Sequence, residues 1–372
     1  MKNTFEGYMR NDGTAGTRNH IGIVSSVICS SIVTNEISEK VQGAIPIVHS
    51  NGCAQLGDDF QVTKNMLVGV ASNPNIYASL LVGLGCETNQ ISGLLESIPK
   101  SKPLKGIGIQ QMAGGKNTIE TGISIASSWS EEAEKEKRET LPISQLKVGV
   151  VTVDIEEESL KKMTPVVSGV INKLLENDAS VIMGLTDTLE PAGDVIAENV
   201  EDMKLKQELV NISEGLHRRR WEENKEYEVP SFSNEEKNLA SLEARLIGTN
   251  KINSLLNYND KPKKKGLHLM KSSRNIVETL SNFASIGCNF AIVLSSRGVL
   301  TSSVAIPCMT IAPQDSSDSF GELVDYKVDE GQNDQQEEKV FDNLISLSSG
   351  KKTVLEEYEL GEFSIPHVGT TF

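Results

Sequence analysis

The stretch HIGIVSSVICSSIVTNEISEKVQGAIPIV, residues 20–48, decides the fold. It begins with an apolar run at 20–27, continues with a helix-length segment of mixed polarity, and ends with a second apolar run at 44–48. Short apolar runs separated by helical segments are typical of parallel strands joined by crossover helices. This stretch therefore predicts a βαβ unit.

The same alternation continues along the chain, with further apolar runs at 77–85, 106–110, 147–153, 179–185, 287–298 and 303–311. We therefore predict an α/β protein with two doubly wound domains and mostly parallel sheets. Two domains also suit 372 residues, because one core rarely grows beyond about 250–300 residues. A charge-rich segment at 128–145 places the boundary between an N-terminal domain at 1–140 and a C-terminal domain at 146–372. The segment DEGQNDQQEEK, 329–339, is predicted to be an exposed acidic loop.

The composition argues against several classes of protein. The chain has 36 basic and 51 acidic residues, a net charge of −15, whereas a nucleic-acid binder needs a basic surface. No apolar run approaches the roughly 18 residues of a membrane span, and the first residues lack a signal-peptide core. We therefore expect a cytoplasmic protein with no membrane or nucleic-acid partner. Its five cysteines are predicted to be free thiols, with Cys29, Cys288 and Cys308 in the core.

The polar segments that follow the predicted strands of the first domain are the candidates for function. Residues 49–55, 86–87 and 111 all follow such strands. Ligands of parallel sheets bind outside the carboxyl ends of the strands. We therefore predict that these segments form one cleft.

The first of these segments, HSNGCAQLGDD at 49–59, offers three reactive or polar side chains. His49 is suited to general-base catalysis, because imidazole titrates near neutrality. Cys53 is a candidate nucleophilic or metal-bound thiolate, and Gln55 a hydrogen-bonding partner of the substrate. The alternative is an ordinary loop with a buried thiol and with an aspartate, at 58 or 59, that caps the next helix.

Three other segments carry weaker signals. Cys86 and Glu87 follow a Gly-x-Gly turn, and the segment with Gln111 ends in a glycine pair whose N–H groups suit an anion. Neither segment is a dinucleotide-binding fingerprint. Before the first strand, GYMRNDGTAGTRNH at 7–20 contains Arg18, which suits a substrate carboxylate, and Asn19. The alternative for that segment is a glycine-rich surface turn with solvated arginines.

Taken together, GYMRNDGTAGTRN, HSNGCAQLGDD, SNPNIYASLLVGLGCE and IQQMAGG resemble the altronate/galactarate dehydratase family over about the first 130 residues. The resemblance implies a hydro-lyase that removes water from a sugar-acid anion and gives a 2-keto-3-deoxy acid. It also implies a divalent metal, Fe, Mn or Mg, and a separate small chain or small N-terminal domain in some members. We expect a large-subunit type that lacks this small domain and forms an oligomer. Sulfolactate sulfo-lyase large chains belong to the same superfamily.

The resemblance also implies roles for individual side chains. The predicted catalytic residues are His49, Cys53, Cys86 and Glu87, and the predicted substrate-binding residues are Arg18, Asn19, Gln55, Gln111 and Arg297. The residues leave the individual base and acid open, and the metal ligands unknown.

The second half departs from the family pattern. The family's cysteine–glycine–glycine–serine–aspartate motif is replaced by VGVVTVDIEEES, and Lys271 stands where the family has an aspartate. Arg297 and Gly298 remain from a threonine–glycine–arginine–glycine turn. Two hypotheses follow: a lyase that acts on a hydroxy-acid anion, or a non-catalytic homologue that binds a small anion or a partner chain.

Overall fold

A computed structural model describes residues 3–214, 232–258, 260–273, 275–315 and 321–368. Its strands are β1 Thr4–Met9, β2 Ala15–Gly16, β3 His20–Ser25, β4 Ala44–Ile47, β5 Ile76–Gly83, β6 Leu104–Gly108, β7 Glu139–Pro142, β8 Lys147–Val153, β9 Ser180–Leu185, β10 Ile252–Leu256, β11 Gly266–Lys271, β12 Phe290–Ser295, β13 Ser302–Ser303, β14 Cys308–Pro313, β15 Tyr326–Val328 and β16 Gly361–Glu362. Its helices are α1 Ser31–Ser38, α2 Gly57–Ala71, α3 Ile91–Ser97, α4 Gly115–Ala133, α5 Glu157–Glu176, α6 Gly193–Ile196, α7 Met203–Ser213, α8 Asn234–Ala244, α9 Ile276–Ser285, α10 Asn333–Ser348 and α11 Val354–Glu357. Within these residues no helix is long and apolar enough to cross a membrane.

The predicted α/β architecture with parallel sheets is confirmed. The first sheet has the order β4-β3-β5-β6 and the second the order β10-β11-β9-β8-β12-β14-β15, and every pairing in both is parallel. In each sheet the first strand in the chain is central: β3 pairs with β4 on one side and β5 on the other, and β8 pairs with β9 on one side and β12 on the other. This reversal creates a switch point between β3 and β5 in the first sheet, and between β8 and β12 in the second.

A small antiparallel sheet, in the order β2-β1-β7, joins the N-terminal residues to the segment between the two parallel sheets. The predicted glycine-rich turn at 7–20 is therefore a hairpin for half its length. Phe5 of β1 is buried and joins the core around β8 and α5.

The two parallel sheets pack through α2 and α9. The C-terminal ends of both helices meet, because a Cβ added at Gly69 of α2 would lie 2.2 Å from the Ser285 carbonyl oxygen of α9. Asn73, just after α2, also donates to the carbonyls of Ala284 at 2.7 Å and Cys288 at 2.8 Å. The amino ends of the strands of both sheets therefore lie on one side of the molecule, and their carboxyl ends on the other.

Three local predictions are wrong. Residues 333–339 are helical and begin α10, whose residues Gln336 and Val340 are buried. Helix α2 begins at Gly57, so Asp58 and Asp59 lie in its first turn rather than at its N-cap. Cys29 is exposed, although Cys288 and Cys308 are buried as predicted.

Candidate functional site

Glu87 lies at the switch point of the first sheet and joins its two central strands. Its Oε1 accepts a hydrogen bond from the Ser26 hydroxyl, which follows β3, at 2.9 Å. Its Oε2 accepts from the backbone N–H of Gly85, which follows β5, at 2.6 Å. The side chain is buried and lies directly over Gly83, where an added Cβ would come within 2.1 Å of Oε1. Glycine at 83 is therefore required for the carboxylate to occupy this position.

The loops that carry the two predicted cysteines are in direct contact. Both the backbone N–H, at 3.3 Å, and the hydroxyl of Thr88 donate to the Cys53 carbonyl. Cys53 and Cys86 are both exposed. Cys53 supplies the carbonyl of this contact, and Cys86 lies two residues before Thr88. The structure therefore brings the segments at 49–55 and 86–88 to one place at the carboxyl edge of the first sheet.

His49 holds the first of these loops against β3. Its Nε2 lies 3.2 Å from the Ser25 carbonyl, and its Nδ1 accepts the N–H of Asn51 at 3.2 Å. These partners assign the proton to Nε2. Burial lowers the pKa of His49 to about 4, although the hydrogen bond to Ser25 opposes the shift. The ring is therefore neutral at pH 7 and both nitrogens are occupied.

Three amide side chains around the start of α2 carry buried atoms without hydrogen-bond partners. They are the Oδ1 of Asn51, the Nε2 of Gln55 and the Oδ1 of Asn89. The opposite ends of two of these amides bind α2, because Asn51 donates to the Thr63 hydroxyl at 3.0 Å and Asn89 to the Phe60 carbonyl at 3.5 Å. Buried polar atoms are rarely left unpaired, so this group of amides indicates a bound polar ligand or water molecules.

The segment with Gln111 follows β6 and contacts the loop that leads to Glu87. Gln111 is exposed, and the neighbouring Gln110 N–H donates to the Leu84 carbonyl in the loop that leads to Glu87, at 3.0 Å. Helix α4 begins at Gly115 without a capping side chain and without an acidic residue in its first turn. The positive end of its dipole therefore faces the same edge of the sheet unneutralised, which favours an anion there.

The structure places Arg18 and Asn19 at the opposite edge, contrary to the predicted cleft. Both precede β3, so they lie at the amino ends of the strands. The Asn19 side chain donates to the Ala133 carbonyl at 3.0 Å. Arg18 forms a two-point ion pair with Glu356, with both contacts at 2.7 Å.

The remaining donors of Arg18 bind backbone carbonyls, namely those of Thr17 at 2.8 Å and of Leu347 and Lys351 at 2.9 Å. A guanidinium has five N–H groups, and these contacts use all of them. In this conformation no donor of Arg18 is available to a substrate.

Arg297 lies at a carboxyl edge, but at the switch point of the second sheet. Its guanidinium pairs with Glu156 at 2.6 Å, and both side chains are largely exposed. A hydrogen bond from the Glu156 N–H to the Ser296 hydroxyl, at 2.7 Å, joins the loops that follow β8 and β12. Lys271, at the end of β11, pairs with Glu208 at 2.9 Å. None of the described contacts joins Arg297 to the residues of the first switch point.

Ser26, Asn51, Thr88 and Asn89 belong to the site but were not among the predicted residues. The strand-end rule that selected His49 and Glu87 would also have selected Ser26, because it is the first residue after β3.

The comparisons with known proteins match both halves of the chain to one family. Residues 7–134 match the family described as D-galactarate dehydratase/altronate hydrolase, second domain. Residues 144–371 match D-galactarate/altronate dehydratase, C-terminal. The gap between the two matches, 135–143, lies inside the charge-rich segment at 128–145.

Individual relatives are distant. The chain is 24% identical to altronate dehydratase of Bacillus subtilis over 312 residues, which cover 79% of this chain and 63% of that protein. It is 25% identical to altronate dehydratase of Escherichia coli over 389 residues, which cover 98% of this chain and 78% of that one. It is 24% identical to the (2R)-sulfolactate sulfo-lyase subunit beta of Chromohalobacter salexigens, over 76% of this chain and 75% of the relative. The match thus spans less than two thirds of the Bacillus protein.

Proposed function

The chain belongs to the D-galactarate dehydratase/altronate hydrolase family, and from this premise we propose that it is a hydro-lyase acting on a sugar-acid anion. The proposed reaction removes water from an aldonate or aldarate and gives a 2-keto-3-deoxy acid. The proposed site is the carboxyl edge of the first sheet, around Glu87.

The observation that carries this proposal is the group of unpartnered amides at Asn51, Gln55 and Asn89. A sugar acid has a hydroxyl on most of its carbons, so it can both donate to the free amide oxygens and accept from the free amide nitrogen. The unneutralised start of α4 supplies a favourable field for its carboxylate.

The chemistry requires a base for the proton next to the carboxylate and an acid for the leaving hydroxyl. We assign the base to Glu87, because it is the carboxylate that the switch point holds in a fixed position by hydrogen bonds to both its oxygens. We assign His49 a positioning role, because it is neutral and both its nitrogens bind the backbone. Cys53 and Cys86, whose thiols are exposed, remain the candidates for the proton donor.

The divalent metal implied by the family does not fit the residues described here. Among them no three His, Cys, Asp or Glu side chains form a group that could hold a metal ion. Lys271, where the family pattern has an aspartate, is paired with Glu208 instead. The proposal therefore assigns no step to a metal.

This mismatch favours a second candidate, a non-catalytic homologue that binds the same sugar-acid anion. The two candidates share the site and differ in turnover. In both, a separate small chain and oligomer formation remain proposals drawn from the family.

The deciding experiment is an assay of the purified chain against a panel of aldonates, aldarates and sulfolactate. Product formation is followed as a 2-keto acid, and sulfite release is measured with sulfolactate. Binding is followed in parallel by thermal shift, with and without Mn²⁺, Fe²⁺ or Mg²⁺. Turnover of a sugar acid supports the lyase. Saturable binding without turnover supports the non-catalytic binder. The absence of both binding and turnover would refute both candidates.

The role of Glu87 is tested with Glu87→Gln, which keeps the shape and loses the charge. We expect kcat/KM to fall by about 10²–10⁴-fold, the usual contribution of a general base. The matched control is Glu243→Gln, because Glu243 is also fully buried but lies on α8 and accepts from Thr152 of β8. Equal activity of the two variants would show that Glu87 is not the base.

A further inference from the structure

The side of the molecule opposite the proposed active site carries a pocket of about 250 Å³ between the two parallel sheets. Thr14 and Pro74 line it from the first part of the chain. Lys147, at the start of β8, and the loop 262–265, before β11, line it from the second part. All of these residues precede strands, so the pocket lies at the amino edges. The six residues of β3, at about 3.3 Å each, separate it from Glu87 by roughly 20 Å.

The charge of this pocket is opposite to that of the chain. Its lining includes Lys147, Lys263, Lys264 and Lys265 and no aspartate or glutamate, whereas the whole chain has a net charge of −15. Lys261, in the same loop, is close enough to lower the pKa of Lys147 further. Cations that converge without a carboxylate repel one another, so an anion placed between them is favoured.

Lys147 shows the effect most clearly. Burial lowers its pKa, and no described carboxylate faces it. The hydrogen bond described for its ammonium group is a long one, 3.4 Å to the Ile286 carbonyl. A partly buried ammonium group without a carboxylate partner is costly, and binding of an anion would offset this cost.

The basic loop is held in place by its backbone. The Lys265 carbonyl accepts from the Asn253 amide at 2.9 Å, and the Lys264 carbonyl lies 3.0 Å from Nε2 of His268. His268 is itself fixed by Ser254, which lies 2.8 Å from Nδ1. These bonds use backbone carbonyls, and none of the described hydrogen bonds or ion pairs engages the ammonium groups of Lys263, Lys264 or Lys265.

We propose that this pocket binds a small molecule with one or two phosphate groups. Lysine ammonium groups bind phosphate as point charges, whereas planar carboxylates are matched better by arginine, and the lining contains no arginine. The volume lies below the range of about 300–1,000 Å³ for drug-sized ligands, which indicates a compact anion. The site is independent of the proposed hydro-lyase activity.

The test is calorimetric titration of the full chain with inorganic pyrophosphate and with phosphate at an ionic strength of about 0.15 M. We expect saturable binding of one pyrophosphate per chain. The triple variant Lys263→Gln, Lys264→Gln and Lys265→Gln should weaken it about tenfold or more, since charge-assisted hydrogen bonds are lost. The control triple, Lys204→Gln, Lys237→Gln and Lys339→Gln, removes the same charge from exposed helical positions and should bind like the wild type.

Lys147→Met separates binding from folding. Removing a partly buried charge that faces no carboxylate should leave the melting temperature of the free protein unchanged or higher, while the rise induced by pyrophosphate should disappear. Equal weakening by both triple variants, or no saturable binding by the wild type, would overturn the proposal. Succinate that binds as tightly as pyrophosphate would overturn the assignment to phosphate.

Discussion

Replacing Arg18 with methionine tests whether this residue holds the two halves together or binds substrate. Arg18 is 6% exposed, and it joins residues at the start of β3 to the segment 347–356 near the C-terminus. The substitution leaves the partly buried Glu356 carboxylate without its cation and removes one donor from each of three backbone carbonyls. Burial alone would raise the pKa of Glu356, but the hydrogen bond and the charge of Arg18 outweigh it, so the pKa is lowered.

The size of the effect follows from this geometry. Breaking a buried ion pair by removing one partner typically costs about 3–5 kcal/mol. At about 2.1 cal/mol/K per residue, the entropy of unfolding of 372 residues is about 0.8 kcal/mol/K. We therefore expect Arg18→Met to lower the melting temperature by about 4–6 °C if the chain unfolds in one transition. If it unfolds in steps, the shift should appear in the step that separates the two halves.

Arg297→Met is the matched control. Its ion pair with Glu156 has side chains that are 67% and 58% exposed, against 8% and 19% for Arg18 and Glu356. Because exposed pairs contribute little, its melting temperature should stay close to that of the wild type. Differential scanning calorimetry gives both values. An unchanged melting temperature for Arg18→Met, together with loss of sugar-acid binding, would refute the structural role and restore the substrate-binding hypothesis.

Three further predictions concern titratable groups. Burial raises the pKa of Glu243 from 4.5 to about 7, so the folded state binds its proton more tightly than the unfolded state, and stability falls as the pH rises between these values. Glu243→Gln should therefore melt up to about 4 °C higher than the wild type near pH 8 and show no gain near pH 4, as measured by thermal melts. The imidazole of His49 should stay neutral and protonated on Nε2 between about pH 6 and 8, because its pKa is lowered to about 4. A ¹⁵N spectrum that shows a protonated Nδ1 would contradict this prediction. The exposed thiols of Cys29, Cys53 and Cys86 should react with a thiol reagent in the native protein. Cys288 and Cys308 are buried, and burial raises the pKa of each to about 12, so they should react only after unfolding. Mass spectrometry of the labelled protein can show this difference.

Most of the fold was predictable because apolar runs and crossover lengths are local properties of the sequence. The run at 147–153 has the bounds of β8. The start of α10 was not predictable in the same way. Its first turns are acidic and amide-rich, so they look like a loop, and only burial of Gln336 and Val340 against the rest of the molecule reveals the helix.

The candidate site was predictable in its position and less so in its members. Strand order brings Ser26 and Glu87 together, and this order is not readable from one segment alone. Arg18 was selected by its chemistry, yet a residue that precedes a parallel strand must lie at the edge opposite the switch-point loops. Its side chain chemistry suits a buried carboxylate equally well, whether that carboxylate belongs to a substrate or to Glu356.

The two edges of the sheets differ in how their buried amides are paired, and this difference explains why the proposed substrate site lies at the carboxyl edge of the first sheet. At the amino edges, Asn75 donates to the Asn289 carbonyl at 3.1 Å, and the Asn289 amide donates to the Ala15 carbonyl at 2.8 Å. Thr17 donates to the Asn289 carbonyl as well, at 2.7 Å. These buried hydrogen bonds satisfy each other and fix the two sheets at one spacing, beside the pocket that Ala15 and Asn289 also line. At the carboxyl edge of the first sheet the amides of Asn51 and Gln55 retain unpartnered atoms, and there the same fixed frame holds polar groups ready for a substrate.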